Sequence, residues 1–210
     1  MFKDALLYLK EFCIQFKETG SIFPSSKFAA KVLTDPIRNS VGTRRILEVG
    51  PGAGCVTVKI LQDMLDTDTL CICEINPRFM KALKKKIHND PNFIRHKSRI
   101  SFFEGPVQKL PEPATFDMIV CALPFTNFDL KTVQEIFAKF KRISTSETLM
   151  TYYEYIGLRS IGMVVSDKDN KERLEQVEGF FESMYKKNPP KKERVWLNVT
   201  PSNIYTLRVA

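Results

Sequence analysis

The chain has 210 residues, 43% of them hydrophobic and 27% charged, and 32 Lys and Arg stand against 24 Asp and Glu for a net charge of +8. This is globular composition, long enough for one sizeable core and short for two independent domains, and it excludes a disordered chain. No run of about 18 apolar residues is present, so no segment of the sequence reads as a membrane span.

At the N-terminus, Asp4 and Glu11 interrupt the apolar stretch, against the pattern of a signal peptide. Residues 2–18 read as an amphipathic helix, with Phe2, Leu6, Leu9, Cys13 and Phe16 recurring at alternating spacings of four and three. Gly20 ends it, and Pro24-Ser25-Ser26 predicts a loop and N-cap for a second helix from Lys27. From Arg45 strands and helices alternate. Strands are expected at 45–49, 70–74, 99–104, 118–123 and 149–153, with helices over 54–65, 77–88 and 129–142. After Tyr155 come a short helical piece, a charged helix over 167–187, and strands at 194–199 and 204–209 around Pro201-Ser202. An alternating order closed by a hairpin predicts an α/β fold: a doubly wound, Rossmann-like, seven-stranded, mostly parallel sheet with a C-terminal antiparallel hairpin, preceded by N-terminal helices.

The five cysteines (Cys13, Cys55, Cys71, Cys73 and Cys121) show no disulfide-framework spacing. Cys71-x-Cys73 puts two thiols on one face of a buried strand, which is not a zinc spacing. With only His88 and His96 besides, no metal is expected, and the reducing cytoplasm is the expected compartment.

The sharpest local signal is Glu48-Val49-Gly50-Pro51-Gly52-Ala53-Gly54 directly after the first strand. Three glycines let a ligand approach the backbone, and the loop feeds a helix N-terminus whose free N–H groups suit an anion. A dinucleotide fingerprint would want glycine at 55, where Cys55 stands. Glu74 closes the second strand, where a carboxylate can accept both hydroxyls of a ribose.

This constellation resembles the class I S-adenosylmethionine-dependent methyltransferases. The resemblance implies that the loop residues Glu48, Gly50, Gly52 and Gly54 wrap the cofactor, and that Glu74 with Ile75 holds its ribose. It places adenine at the end of the third strand, against Glu104 and Gly105; Pro106 and Val107 replace the acid many members carry just after that glycine. Ser25, Ser26 and Leu123 complete the implied cofactor contacts.

After the fourth strand, Ala122-Leu123-Pro124-Phe125 is similar to the N-P-P-Y loop of N-methyltransferases, but Ala122 removes the side-chain acceptor for a planar amino group. Losing such an acceptor costs about 1–3 kcal/mol, which disfavours adenine and leaves a flexible aliphatic amine well served. Gly20–Phe28, Leu123–Phe128, the Tyr152-Tyr153-Glu154-Tyr155 run and Arg194-Val195-Trp196-Leu197-Asn198-Val199-Thr200-Pro201 resemble segments of bacterial phospholipid N-methyltransferases. That resemblance implies methylation of phosphatidylethanolamine at an anionic membrane surface by a monomer. Phe125, Tyr152 and Tyr155 stand as its catalytic-side residues, and 1–44 is a substrate- and membrane-gating segment before a cofactor-binding domain at 45–210. An RNA adenine N6-methyltransferase and a non-catalytic cofactor-binding relative are the alternatives. The basic excess sits in Lys84-Lys85-Lys86, in 95–99 and in 186–194, because the three lysines of the leading helix are balanced by Asp4, Glu11 and Glu18.

Overall fold

The computed structural model describes residues 27–112, 115–156, 168–196 and 201–209. The expected helix over 2–18, Ser25, Ser26 and the short piece after Tyr155 lie outside the described residues.

The chain runs α1 (Lys27–Asn39), β1 (Arg45–Val49), α2 (Cys55–Asp63), β2 (Thr69–Glu74), α3 (Pro77–Ile87), α4 (Pro91–His96), β3 (Ile100–Glu104), β4 (Phe116–Cys121), α5 (Leu130–Arg142), β5 (Ser144–Tyr155), α6 (Lys168–Lys187), β6 (Lys191–Val195) and β7 (Ser202–Arg208). The seven strands form one sheet in the order β3-β2-β1-β4-β5-β7-β6. β1 to β5 are mutually parallel, and β7 pairs antiparallel with both β5 and β6.

Because side chains alternate across a strand, each strand feeds two cores. Ile46, Ile72 and Val120 face α1, α2 and α3, meeting Leu33, Ile60 and Leu83. Leu47, Val49, Ile119 and Met150 face α5 and α6, meeting Phe137, Phe140 and Phe181. Helix starts are set by short polar caps: Asn76 accepts from the Arg78 amide, Asp90 from Asn92 and Phe93, and Asp129 from Thr132. α4 is an element the periodicity does not announce; the Asp90-Pro91 cap-and-N1 pair is its one signal.

Two strands depart from the pattern in the sequence. β5 runs from Ser144 rather than 149, because its first residues are exposed and polar and carry no apolar period. β6 (Lys191–Val195) begins before the expected 194, since an edge strand rich in charge is fixed by its pairing with β7 and not by an apolar face, and 197–199 of the expected strand lie outside the described residues. Cys73 and Cys121 are buried on the α5–α6 side, and burial pushes the Cys121 thiol up to about 12, so both act as small core side chains.

Candidate active site

β1 lies between β2 and β4, so the strand order reverses there, and a crevice opens beyond the carboxyl ends of these strands. The glycine loop fills one wall of it. Gly50, Gly52 and Gly54 all have positive φ, at 72°, 51° and 74°. The Gly50 amide donates to the Cys73 carbonyl at 2.9 Å and the Gly54 amide to the Pro51 carbonyl at 2.8 Å. At Gly54 a Cβ would collide with Leu83 of α3, so this glycine is required by packing. At Gly52 a Cβ would meet nothing within 4 Å; this glycine borders open space on the ligand side. Gly54 supplies no side-chain cap, which leaves the first amides of α2 to a ligand.

Two acids flank the loop. Glu48 is fully buried; its Oε1 accepts from the Thr57 hydroxyl at 3.0 Å, and Oε2 has no partner. Burial pushes this carboxyl up to about 8, Thr57 opposes the shift, and the charge of Glu74 adds to it. Glu74 is buried at the end of β2, accepts from the Asn76 amide at 2.8 Å, and is also bonded by the amides of Gly52 and Ile75. Burial raises its pKa against those three bonds. One carboxylate therefore shapes both the glycine loop and the turn after β2.

Glu104 stands opposite Glu74 in register, but it is half exposed and paired with Lys84 at 3.5 Å. Gly105 follows, its amide donating to the Glu74 carbonyl at 3.0 Å. Leu123 packs against Gly50, its Cδ2 2.9 Å from where a Cβ would stand, and the Ala122 amide donates to the Val49 carbonyl at 2.8 Å. The end of β4 is thus tied directly to the loop.

One residue further on, Pro124 borders a cavity of about 250 Å³. Phe125, Tyr152 and Tyr155 all line it, together with residues the sequence reading did not assign: Glu154 of β5, Glu178, Phe181, Glu182 and Tyr185 of α6, and Tyr205 of β7. Arg173 of α6 donates to the carbonyls of Thr126 (2.5 Å) and Phe128 (3.0 Å), fixing the turn after β4 against the helix. Tyr152 is buried, stacked on Tyr205 with centroids 5.1 Å apart and on Phe181 at 5.6 Å. Its hydroxyl meets that of Tyr185. The Tyr155 hydroxyl donates to Tyr153 at 3.4 Å, and the Tyr205 hydroxyl donates to Glu154 at 3.1 Å. Burial holds the phenols of Tyr153 and Tyr185 well above their ordinary value, so neither serves as a base at neutral pH. Phe125 is buried within a ring cluster with Phe137, Phe181 and Tyr152. The i, i+4 spacing of Glu178 with Glu182 and of Phe181 with Tyr185 puts each pair on one helix stripe, but nothing in the sequence says that this stripe meets β5.

The comparisons with known proteins agree with this geometry. Residues 46–146 match the methyltransferase domain family. A probable dimethyladenosine transferase from Caenorhabditis elegans is 37% identical over 83 residues, 40% of this chain and 24% of that protein, so the match spans about a quarter of its length. An ornithine lipid N-methyltransferase from Singulisphaera acidiphila is 26% identical over 150 residues, covering 67% of this chain and 72% of that protein. Among solved structures, an O-methyltransferase from Bacillus cereus in complex with SAH superposes with a TM-score of 0.62 at 12% identity, covering 96% of this chain and 90% of that one, a likeness of fold.

The sheet order, the glycine loop with its two acids and the matched segment define a class I S-adenosylmethionine-dependent methyltransferase domain. Its cofactor is S-adenosylmethionine. The groups present fit that molecule: an uncapped helix start for a carboxylate, a buried acid with an unpartnered oxygen for a cation, and Glu74 for a ribose. Among the described residues no helix is long and apolar enough to cross a membrane.

Proposed function

We propose that this methyltransferase acts on the amino group of a lipid headgroup, phosphatidylethanolamine first among them, at an anionic membrane surface. The observation that carries this reading is the wall of the cavity beside Leu123. It offers aromatic rings and three carboxylates, and Ala122, two residues before the lining Pro124, brings no side-chain acceptor for a planar amine. The match to an ornithine lipid N-methyltransferase over two thirds of the chain supports an aliphatic amine on a lipid.

The chemistry asks little of the protein beyond placement. S-adenosylmethionine supplies an electrophilic methyl group when bound between the glycine loop and Glu74. The chain's part is to bring an amine to the cavity, align it, and exclude water. Glu154, Glu178 and Glu182 draw an ammonium inward, and the Pro124–Phe125 turn, pinned by Arg173, keeps the acceptor wall rigid. The acceptor nitrogen must lose a proton before it can attack, and with Tyr153 and Tyr185 held protonated the carboxylates are the available acceptors.

The basic residues reach the membrane from two places. The 84–99 run sits near the β3 edge of the sheet and the 186–194 run near the β6 edge, at opposite ends of the strand order. Several of these cations are already paired: Lys84 with Glu104, Arg95 with Asp66, and Lys191 with Glu193, while Lys86 donates to the Ala53 carbonyl of the glycine loop at 2.6 Å. Each remaining one adds roughly 1 kcal/mol on an anionic leaflet.

A second reading, RNA adenine methylation, is favoured by the 83-residue match to the dimethyladenosine transferase. Radiolabelled methyl transfer separates the two: purified protein is offered phosphatidylethanolamine vesicles, ornithine-lipid vesicles and RNA in parallel. Label in phosphatidylethanolamine is the expected result. Label in RNA alone overturns the lipid reading, and label only in the ornithine lipid moves the substrate to that class.

A further inference from the structure

We infer that Lys86 of α3 is a positioning residue for the cofactor: its ammonium grips the Ala53–Cys55 end of the glycine loop and holds the loop in the shape that S-adenosylmethionine binds. This role belongs to the cofactor site and is independent of the methyl acceptor.

Glycines at 50, 52 and 54, all with positive φ, give the loop a backbone freedom that must be lost before a ligand can use its amides. In the first half of the loop that freedom is removed by β2. The Gly50 amide donates to the Cys73 carbonyl, and the Gly52 amide to the Glu74 carboxylate. Past Gly52 the tie comes from α3. The Lys86 ammonium donates to the Ala53 carbonyl at 2.6 Å, from 33 positions away, and lies 3.8 Å from the Cys55 thiol, so it bridges Gly54 on either side. A carbonyl bonded by a cation is held more strongly than one bonded by a neutral donor. The lysine stem runs alongside, with Cδ 3.6 Å from where a Gly54 Cβ would stand.

In the sequence, Lys84-Lys85-Lys86 reads as one cationic run, but α3 divides it. Helical spacing turns Lys84 and Lys86 to different sides. Lys84 pairs with Glu104 at 3.5 Å and lies 4.7 Å over the Phe102 ring, while Lys86 reaches the loop. Lys85 stands between them, exposed. A simple charge patch would feel the loss of any of the three alike; a clamp on the loop feels the loss of Lys86. Without the clamp the loop visits shapes that cannot bind, and cofactor affinity falls with the population that remains competent.

The test reads binding rather than turnover. The full chain and its Lys86→Met, Lys85→Met and Lys86→Arg variants are titrated with SAH by calorimetry, and each is unfolded in urea. Lys86→Met is expected to weaken SAH binding about five- to tenfold, the size of one charge-assisted hydrogen bond at an exposed position, with an unchanged urea midpoint. Lys85→Met removes the same charge and should stay within about twofold of the parent. Lys86→Arg keeps a long cationic donor and should also stay within about twofold. In hydrogen exchange without ligand, the Gly54 amide should exchange faster in Lys86→Met and at the parent rate in Lys85→Met. SAH binding by Lys86→Met within twofold of the parent overturns the inference. So does an equal loss in Lys85→Met, which would make the effect one of bulk charge, or a fall in the urea midpoint that accounts for the lost affinity, which would make Lys86 a stability residue only. A Lys86→Arg loss as large as that of Lys86→Met overturns it as well.

Discussion

The glycine-loop site and the cavity beyond β4 are built in opposite ways. The cofactor side is a short run of chain, Glu48 to Gly54, completed by one acid from the neighbouring strand, and most of its contacts are backbone contacts. The cavity proposed for the acceptor is a set of side chains brought from the turn after β4 and from β5, α6 and β7, with partners such as Tyr152 and Tyr185 separated by 33 positions. A backbone cradle binds whatever shape the fold always presents. A wall of side chains can be rebuilt residue by residue while the fold stands. On the proposed function, the first sets the reaction class and the second the acceptor.

Substitutions at the two ends can break or sharpen that contrast. The largest effect is expected at Glu74, whose carboxylate organises three amides and stands where the cofactor's ribose is expected. Glu74→Ala should weaken SAH binding about 100-fold, equivalent to about 3 kcal/mol for charged hydrogen bonds; calorimetry that finds affinity retained would remove Glu74 from the cofactor site. Next, Gly54→Ala adds a left-handed penalty to a collision with Leu83 and should cost about 2–3 kcal/mol in urea unfolding. Gly52→Ala, with open space around it, should cost only about 1 kcal/mol of stability while still weakening SAH binding. Equal stability losses at the two glycines would contradict their different surroundings.

Glu48 gives a pH signature. Its folded pKa of about 8 lies above the ordinary 4.5, so the folded state binds the proton more tightly. The cofactor-free chain should therefore lose stability as pH rises from about 4.5 through about 8. Glu48→Gln should flatten that loss, melting above the parent at pH 8 and close to it at pH 5. The smallest effect is expected on the acceptor side. Tyr152→Phe removes a hydroxyl occupied with Tyr185, and methyl transfer should change by less than about fivefold; a loss beyond about 100-fold would make that hydroxyl a proton carrier.

The same contrast explains what could be read in advance. The glycine loop, Glu74 and the strand–helix alternation are local patterns with a fixed period or spacing, and they lie in the structure where the sequence puts them. Tyr152, Tyr155 and Phe125 are visible as aromatics near strand ends, but their occupied hydroxyls and buried rings are not. Glu154, Glu178, Tyr185 and Tyr205 become neighbours only through the β5–β7 pairing and the docking of α6, which no local spacing encodes. The start of β6 at Lys191 is missed for a related reason: its register belongs to its partner strand.

One hydrogen bond changes how the chain can be cut. The Thr151 hydroxyl donates at 2.8 Å to the Leu33 carbonyl of α1, next to Tyr152 in β5. Around it Ala29, Ala30, Leu33 and Ile37 are buried against the sheet, and Val195 of the edge strand joins the same core. A protein shortened to begin at residue 45 would strip this helix from a buried apolar face and leave Thr151 without its acceptor. Such a truncation would yield an aggregation-prone fragment rather than a smaller catalyst. In hydrogen exchange, amides of α1 and β5 should open together as one cooperative unit.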